Sequence, residues 1–275
     1  ESFGMPMKTK PVFDQLNEFF DQIYVISLRR SSDRHEYLEE ALDGLNYRIF
    51  WGLDGKKLSL DELYEKGLYH PYHSRLLKKR AGRTTEQSST SIIGCALSHL
   101  YVCKNLLEEG HKNALILEDD IIFRQGMETE LSCSLQQLPD KWELFYLGHT
   151  GANSNPTLSR RVKKNLLQIA APIFQKYKKL KMIDPEVISR WFPRPYSEHL
   201  NRAGSHFGTH AYAVSASGAQ KIIHYQTPVV QEADNVLGEL CSYGWLHAFS
   251  MKNQLVHQNT RFKSLLGTNL SPKEP

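Results

Sequence analysis

The chain contains 275 residues, of which 40% are hydrophobic and 11% aromatic, and its formal net charge is +4. This composition supports a folded core of about one large domain and argues against disorder. No run of 18 or more apolar residues occurs, so the sequence predicts no membrane-spanning helix. The small positive charge favours anionic ligands without indicating nucleic acid.

The cysteines and the start of the chain bear on the cellular compartment. The four cysteines show no CxxC spacing, and the first two lie eight residues apart within one helical pattern, too far along the axis for a disulfide. Residues 1–10 contain no apolar segment typical of a signal peptide. We therefore predict reduced thiols in a cytoplasmic protein. The thiols are Cys95, Cys103, Cys133 and Cys241.

The first unit that the sequence predicts is a strand, a helix and a second strand within about 30 residues. Residues 23–28 form the first strand, Ser31 or Ser32 caps a helix that ends at Leu42, and Tyr47–Trp51 forms the second strand. Units of this kind bind ligands at the carboxyl ends of their strands, beside a helix N-terminus that favours anions.

Four residues at the end of the first predicted strand are therefore expected at a ligand-binding mouth. They are Ser27, Leu28, Arg29 and Arg30. The alternative is that Arg29, Arg30 and Arg34 form part of a solvated surface with no ligand.

The next segment is polar, and we expect an irregular loop over residues 58–91. Its basic side chains either fold over phosphates or stay solvated, and they are Arg75, Lys78, Lys79, Arg80 and Arg83. Apolar residues then recur at helical spacing, and Gly110 ends the pattern, so a helix is predicted over residues 93–109. A strand over residues 115–118 follows.

A buried strand that ends in three acidic residues is the most informative feature of the sequence. Residues 114–117 are Ala, Leu, Ile and Leu, and Glu118, Asp119 and Asp120 follow directly. Unpaired charge is costly in an apolar layer, so the carboxylates must emerge at the strand's end. The first and third side chains point to one side, which lets Glu118 and Asp120 share a divalent cation such as Mg²⁺ or Mn²⁺. The alternative is a solvated turn without a ligand.

Residues 150–205 interrupt the alternation of strands and helices. Between Arg160 and Met182 there are eight lysines and arginines and no acidic residue, and apolar residues recur at roughly helical spacing. The pattern predicts a basic amphipathic insertion that Pro172 kinks or splits. It is compatible with a helix that covers the domain and with a segment that docks on an anionic membrane or acceptor.

Regular structure flanks and follows the insertion. Gly148 and His149 end the strand before it, and Ser215 or Ser217 caps a short helix after it. Residues 227–240 are helix-like and carry two acidic residues, Glu232 and Asp234, among apolar neighbours. The sequence predicts strands over residues 142–147, 208–214, 246–250 and 254–256.

Short sequence blocks between residues 20 and 265 occur in an order that is specific as a set. The blocks are Ile23-Tyr24-Val25-Ile26-Ser27-Leu28-Arg29-Arg30 with Arg34, Asp54-Gly55, Gly94-Cys95-Ala96-Leu97-Ser98-His99, Leu117-Glu118-Asp119-Asp120, Gly208-Thr209-His210-Ala211-Tyr212-Ala213-Val214-Ser215, Gly218-Ala219, Asp234 and His247-Ala248-Phe249-Ser250. Together they resemble glycosyltransferase family 25, which includes bacterial lipooligosaccharide galactosyltransferases and collagen hydroxylysine galactosyltransferases.

The resemblance implies a GT-A fold, an α/β architecture with a Rossmann-like, mostly parallel central sheet flanked by helices. Residues 21–265 would form one catalytic domain with a basic helical insertion at 150–205, between an N-terminal extension (1–20) and a C-terminal tail (266–275). The implied enzyme transfers a hexose, usually galactose, from a UDP-sugar with inversion. The acceptor would be a lipooligosaccharide-type glycan or hydroxylysine, and Mn²⁺ or Mg²⁺ would assist the diphosphate leaving group.

The resemblance also implies roles for particular residues. Asp234 matches the family's late acidic position and is the predicted general base that removes the acceptor proton, and Glu232 is its rival. His99 either contacts the donor or braces the acidic strand. The predicted metal ligands are Glu118, Asp120 and His257. The predicted donor-binding residues are Ser27, Leu28, Arg29, Arg34, Asp54, Ser98, His99, Asp119 and His210.

Two other classes of function fit the residues. A metal-dependent phosphoesterase also needs clustered carboxylates, although the sequence shows no HxH pair that would hold a second ion. A non-catalytic relative would bind a sugar nucleotide without transferring the sugar. Nucleic acid is not an expected partner, because no stacking or groove-reading motif accompanies the basic segments. The expected partners are the donor, a glycan or glycolipid acceptor, and an anionic membrane that the protein contacts peripherally at the inner membrane surface.

Overall fold

Strands and helices alternate through most of the chain. The computed structural model describes residues 10–80, 88–151, 153–176, 184–262 and 265. Its strands are β1 (Gln22–Ser27), β2 (Tyr47–Trp51), β3 (Asn113–Glu118), β4 (Ile121–Phe123), β5 (Leu144–Thr150), β6 (Arg194–Pro195), β7 (Leu200–Arg202), β8 (Phe207–Ser215), β9 (Ala248–Met251) and β10 (Val256–Gln258). Its α-helices are α1 (Lys10–Phe19), α2 (Ser32–Ala41), α3 (Leu60–Glu65), α4 (Pro71–Arg80), α5 (Thr90–Glu108), α6 (Glu128–Gln137), α7 (Leu158–Lys176), α8 (Pro185–Ser189), α9 (Ala216–Tyr225) and α10 (Ala233–Tyr243).

Eight strands form the central sheet in the order β2-β1-β3-β8-β5-β9-β7-β6, and β4 pairs separately with β10. β1 is parallel to β2 and β3, and β5 is parallel to β9. β8 is antiparallel to β3 and β5, and β7 is antiparallel to β6 and β9. Only β7 and β8 therefore oppose the other six strands of this sheet. This confirms the predicted α/β fold with a mostly parallel central sheet.

The sheet is buried on both faces, which explains its continuous apolar strands. In β3, Leu115 and Leu117 pack with α1 and α6 on one face, whereas Ala114 and Ile116 pack with α5, α9 and α10 on the other. The alternation of side chains along a strand assigns these residues to opposite layers. The first acidic residue after this run, Glu118, is also the last residue of β3.

The local patterns placed most of these elements correctly. The predicted β1-α2-β2 unit is present, with both of its neighbouring strands parallel to β1. Ser215, one of two predicted caps, accepts a 3.2 Å hydrogen bond from the backbone N–H of Gly218 at the start of α9. The predicted helix over residues 93–109 is α5, which begins three residues earlier.

Two predictions about irregular structure were wrong. Residues 58–91 contain α3 and α4, because Ser59 caps α3 and Leu63 and Tyr69 bury their side chains in an apolar cluster against α5. The strand predicted over residues 142–147 runs instead from Leu144 to Thr150, since Gly148 pairs with Ala211 across a bulge in β5 and β8. Arg83 lies outside the described residues.

The insertion contains the predicted basic helix. α7 continues through Pro172, so of the two predicted effects of this proline, a kink or a split, the structure excludes the split. α8 packs beside α7. Lys178, Lys179 and Lys181 lie outside the described residues. Within the described part of the chain, no helix combines the length and apolar character needed to cross a bilayer.

Candidate active site

The carboxyl ends of three parallel strands meet at one edge of the sheet. Ser27 at the end of β1 lies beside Trp51 at the end of β2, and the preceding residue of β1 pairs with Glu118 at the end of β3. β8 runs in the opposite direction, so its first residues, including Thr209, lie at the same edge. Most of the site residues that the sequence predicted therefore belong to this edge.

Glu118 is held by two neighbours. Thr209 Oγ1 donates a 2.6 Å hydrogen bond to Oε1 of Glu118, and Nε2 of His99 lies 3.5 Å from the same oxygen. The hydroxyl of Tyr212 lies 3.0 Å from Nδ1 of His99 and fixes that ring. Burial alone would raise the pKa of Glu118, but the hydrogen bonds from His99 and Thr209 and the charge of His99 lower it below its ordinary value. Glu118 is therefore ionised at neutral pH.

Asp119 points away from Glu118 and into a polar network. Its Oδ1 accepts a hydrogen bond from Nη1 of Arg34, and its Oδ2 accepts one from the hydroxyl of Ser27. The Ser27 hydroxyl also lies 3.0 Å from Nε2 of His35. Ser27, Arg34 and Asp119 are all buried. In this structure, three predicted donor-binding residues thus fix the turn after β3.

Asp120 is a buried carboxylate with one unsatisfied oxygen. Its Oδ2 accepts a 3.2 Å hydrogen bond from Nε2 of Gln258 and lies 3.5 Å from Nη1 of Arg34. Its Oδ1 is buried and has no hydrogen-bond partner among the described residues. Burial, and then the negative charge of Glu118, raise the pKa of Asp120 above its ordinary value. A cation beside this oxygen would reverse that shift.

The donor set fits a hard divalent cation. Glu118 and Asp120 are close enough for the charge of one to alter the ionisation of the other, and Mg²⁺ commonly binds through one or two carboxylates together with water and substrate phosphates. His257 lies on β10 opposite Ile122 and is exposed. Across the described ranges, no three or more His, Cys, Asp or Glu side chains are grouped to hold a metal ion. The structure therefore does not bring His257 together with the two carboxylates.

The two candidate bases lie at the start of α10. Asp234 accepts hydrogen bonds from the backbone N–H groups of Gly208, at 3.3 Å, and Asn235, at 2.7 Å. Burial raises the pKa of Asp234, these two bonds oppose the rise, and the charges of Glu232 and Glu118 add to it. Glu232 is the residue before α10 and accepts a 2.7 Å hydrogen bond from the Asn235 side chain. Burial and the charge of Glu118 therefore both favour the protonated form of Asp234.

The loop after β2 packs tightly on α5. Asp54 accepts a 2.8 Å hydrogen bond from Nε of Arg30, and Ser98 accepts a 2.8 Å bond from the backbone N–H of Leu53. A Cβ atom on Gly94 would lie 2.7 Å from the carbonyl oxygen of Leu53. Through its hydrogen bond with Leu53, the buried Ser98 side chain joins α5 to this loop. The Asp54 side chain is partly exposed at the end of β2.

His210 is buried at 2% exposure on β8, where its ring lies beside the backbone of Val256. Burial lowers the pKa of His210, and the charge of Glu118 opposes that shift. A Cβ atom on Gly148 would lie 2.6 Å from Nε2 of His210. The absence of a side chain at Gly148 therefore leaves room for this imidazole on the strand next to β3.

Sequence reasoning missed Trp51 as a site residue. Trp51 is 39% exposed at the end of β2, and the guanidinium carbon of Arg29 lies 4.5 Å from the centroid of its ring. The ring of His35 contacts Trp51 edge-on, with centroids 5.4 Å apart. Leu28, which lies between Ser27 and Arg29 in sequence, is half-buried, and Arg29 is exposed. The available signal was the position of Trp51 at the end of a predicted strand parallel to β1.

The mostly parallel sheet and the helices on both of its faces define an α/β protein, a class in which ligands generally bind at the carboxyl ends of the strands. The family model described as "Glycosyltransferase family 25 (LPS biosynthesis protein)" matches residues 20–237. The chain therefore belongs to glycosyltransferase family 25, as the sequence blocks predicted.

Curated relatives share about a quarter of their aligned residues with this chain. It is 25% identical over 215 residues to procollagen galactosyltransferase 1 of Danio rerio, which covers 74% of this chain and 28% of that protein. It is 26% identical over 216 residues to procollagen galactosyltransferase 2 of Mus musculus, and this alignment covers 74% of this chain and 27% of that protein. A relative from Bos taurus, named "Probable inactive glycosyltransferase 25 family member 3", is 24% identical over 218 residues. That alignment covers 75% of this chain and 29% of that protein. The chain thus spans less than a third of the length of these relatives.

Among solved structures, the apo form of mouse xyloside xylosyltransferase 1 aligns with a TM-score of 0.32 and 10% identity. The alignment covers 87% of this chain and 71% of that chain. This similarity is too low to bear on substrate or mechanism.

Proposed function

We propose that this chain is an inverting glycosyltransferase that moves a hexose, with galactose as the first choice, from a UDP-sugar to an acceptor hydroxyl. Family membership supports the reaction class. The observation that carries the proposal is the pair Glu118 and Asp120 at the strand-end mouth, with a buried and unsatisfied oxygen on Asp120. This pair suits Mn²⁺ or Mg²⁺, which supplies positive charge to the diphosphate leaving group when bound.

The donor nucleotide is proposed to lie over the ends of β1 and β2. Trp51 offers an exposed aromatic face, on which a uracil ring can stack. Arg29 is exposed beside it and offers a positive charge to the diphosphate. The hydrogen bonds that Asp119 accepts from Arg34 and Ser27 stabilise the loops at these strand ends.

Asp234 is proposed as the general base for the acceptor hydroxyl. A base is most effective when its pKa approaches the working pH, and burial shifts the pKa of Asp234 in that direction. Its two backbone hydrogen bonds fix the orientation of the carboxylate. Glu232 remains the alternative, since it precedes Asp234 by two residues at the same helix start.

The proposed acceptors are a lipooligosaccharide-type glycan and a hydroxylysine side chain. The description of the family model supports the first, and the names of the procollagen galactosyltransferases support the second. For the glycan acceptor, the proposed location is the cytoplasmic surface of a membrane.

A screen of UDP-sugars for donor hydrolysis and transfer tests this function. With Mn²⁺ present, one UDP-hexose is expected to release UDP faster than the other sugars, and EDTA is expected to abolish the reaction. Release of UDP that is equal for all sugars and insensitive to EDTA would contradict the proposal.

A non-catalytic sugar-nucleotide-binding protein is the second candidate. Both oxygens of Asp119 are already engaged by Arg34 and Ser27, and one family relative is named as probably inactive. UDP binding without turnover of any UDP-sugar, measured with glycan and hydroxylysine peptide acceptors present, would favour this candidate.

A further inference from the structure

Helix α7 exposes four large aliphatic side chains to solvent. Leu158 is 79% exposed, Val162 49%, Leu166 62% and Ile169 72%. Isolated exposed aliphatic residues are common, but a contiguous apolar patch indicates a surface that contacts something other than water.

These four residues form one stripe along the helix. Their spacing of four, eight and eleven residues from Leu158 places them within about 80° of the helix circumference at 3.6 residues per turn. We call Leu158, Val162, Leu166 and Ile169 the apolar stripe. Such a row is typical of an amphipathic helix, although the apolar side of a globular helix normally faces the core.

The opposite side of α7 makes the contacts with the rest of the protein. Ala171 is 4% exposed, and Lys164 places Nζ 5.8 Å from the centroid of the Phe192 ring. α7 also packs on α8. The helix is therefore anchored by one side, and this arrangement leaves the apolar stripe directed outwards.

Positive charge borders the apolar stripe. Arg161 and Lys163 project about 60° beyond its two edges, whereas Arg160 and Lys164 lie on the far side of the helix. The sequence of α7 contains five lysines and arginines and no acidic residue. The exposed side of α7 thus combines aliphatic side chains with flanking cations.

We propose that the apolar stripe docks on the interfacial region of an anionic lipid bilayer, with Arg161 and Lys163 at the level of the lipid headgroups. Interfacial helices have this combination of an aliphatic face and basic flanks, and their affinity comes from apolar burial together with attraction to anionic lipids. The inference goes beyond the proposed glycosyl transfer and does not depend on it.

Charge and shape favour a bilayer over other occupants. A second copy of this chain in a two-fold dimer would bring α7 against α7, so that two all-positive helices faced each other. A protein groove for an amphipathic helix usually receives anchor residues that include aromatic rings, but the apolar stripe contains only aliphatic side chains. An acyl layer requires no complementary pocket.

Co-sedimentation of the full chain with vesicles tests the proposal. Vesicles of phosphatidylserine and phosphatidylcholine are expected to bind the protein more tightly than vesicles of phosphatidylcholine alone, and the preference is expected to shrink with salt because exposed charges are screened over about 10 Å at 0.1 M. Leu166→Ser with Ile169→Ser is expected to weaken binding at least about tenfold, since less apolar surface is buried. Leu158→Ser with Val162→Ser is an independent second variant, and thermal melting checks that both fold.

A charge-matched pair of variants tests the orientation. Arg161→Gln with Lys163→Gln removes two charges beside the apolar stripe and is expected to weaken binding up to about 25-fold, at about fivefold per charge near the surface. Arg160→Gln with Lys164→Gln removes the same charge from the far side and is expected to have a clearly smaller effect. Release of UDP from a UDP-sugar is expected to be unchanged in every variant.

Three results would overturn the proposal. The first is equal binding to anionic and zwitterionic vesicles by the unaltered protein. The second is full binding by both serine double variants, or equal losses in the two charge variants. The third is a lipid-free dimer in analytical ultracentrifugation that Leu166→Ser with Ile169→Ser converts to monomer, which would assign the apolar stripe to a second copy of the chain.

Discussion

Thr209 and Glu118 lie on adjacent antiparallel strands, and the 2.6 Å hydrogen bond between their side chains joins β8 to the acidic end of β3. β8 begins at the edge of the sheet where β3 ends. Thr209, which follows the insertion at residues 150–205, therefore contacts Glu118, which precedes it. The candidate site is therefore assembled from both halves of the chain, and variants in either half are expected to affect it.

Asp120→Asn is expected to remove the enhancement of UDP binding by Mn²⁺. The amide keeps the shape of the carboxylate but removes the negative charge that a cation needs, while the contact with Gln258 can persist. Titration calorimetry with Mn²⁺ and with EDTA measures the effect. Asp43→Asn, at an exposed aspartate after α2, is the control and is expected to behave as the unaltered protein. A variant at Asp120 that keeps the full enhancement would show that this carboxylate does not hold the ion.

Asp234→Asn is expected to lower turnover by roughly two to four orders of magnitude, the usual contribution of a general base. Affinity for UDP is expected to change little, because the amide oxygen can still accept the bonds from Gly208 and Asn235. Steady-state kinetics with a fixed acceptor separates the two effects. Near-normal turnover in Asp234→Asn together with an inactive Glu232→Gln would assign the base to Glu232.

Trp51→Leu is expected to weaken UDP binding by about 1 to 3 kcal/mol, the range for stacking of a base on an aromatic ring. In the unaltered protein, UDP is expected to quench tryptophan fluorescence, and Trp51→Leu is expected to lose most of this quenching. Trp245→Leu is a matched control, because Trp245 is also half-exposed but precedes β9, at the opposite edge of the sheet. Equal quenching in both variants would place the base elsewhere.

The stacked rings of His149 and His206 are expected to make the protein sensitive to acid. Their centroids lie 3.8 Å apart, and burial lowers the pKa of His149 to about 3 and that of His206 well below its ordinary value. The folded state therefore resists protonation of rings that the unfolded chain protonates below about pH 6.5. Their contribution to stability is complete above that pH and is lost as the pH falls below it, by up to about 1.4 kcal/mol per pH unit for each ring.

Urea unfolding at pH 7 and pH 5 checks this expectation. His149→Gln and His206→Gln are each expected to reduce the loss of unfolding free energy between the two pH values. His224→Gln changes an exposed histidine and serves as the control. A loss that stays the same in both buried variants would show that these rings do not control acid sensitivity.

The sequence predicted those parts of the molecule that depend on local patterns. Periodicity placed the β1-α2-β2 unit, α5 and the acidic end of β3. It did not predict α3 and α4, because their polar composition resembles a loop, and α3 depends on the Ser59 cap and on burial of Leu63 against α5. It also did not predict that β8 lies between β3 and β5. The apolar pattern of a strand buried on both faces does not indicate its direction or its neighbours in the sheet.

The detailed geometry of the candidate site depends on contacts between residues far apart in sequence. Asp119 and Arg34 are separated by 85 positions, and Asp120 and Gln258 by 138. Alternation along a strand predicted that Glu118 and Asp120 share one side, and the influence of one charge on the other agrees with their proximity. No local signal indicated that Asp119 would be enclosed by Arg34 and Ser27, or that His257 would lie apart.

The position of β8 has a consequence for the order of folding. β5 ends at residue 150 and β8 is complete at residue 215, so 65 residues of synthesis separate the two. At about 5 to 20 residues per second, the ribosome needs roughly 3 to 13 s to cross this interval. During that time the facing edges of β3 and β5 have no strand between them, and unpaired apolar edges are sites of aggregation. The length of the insertion therefore sets how long the nascent chain must protect two open strands before the sheet can close.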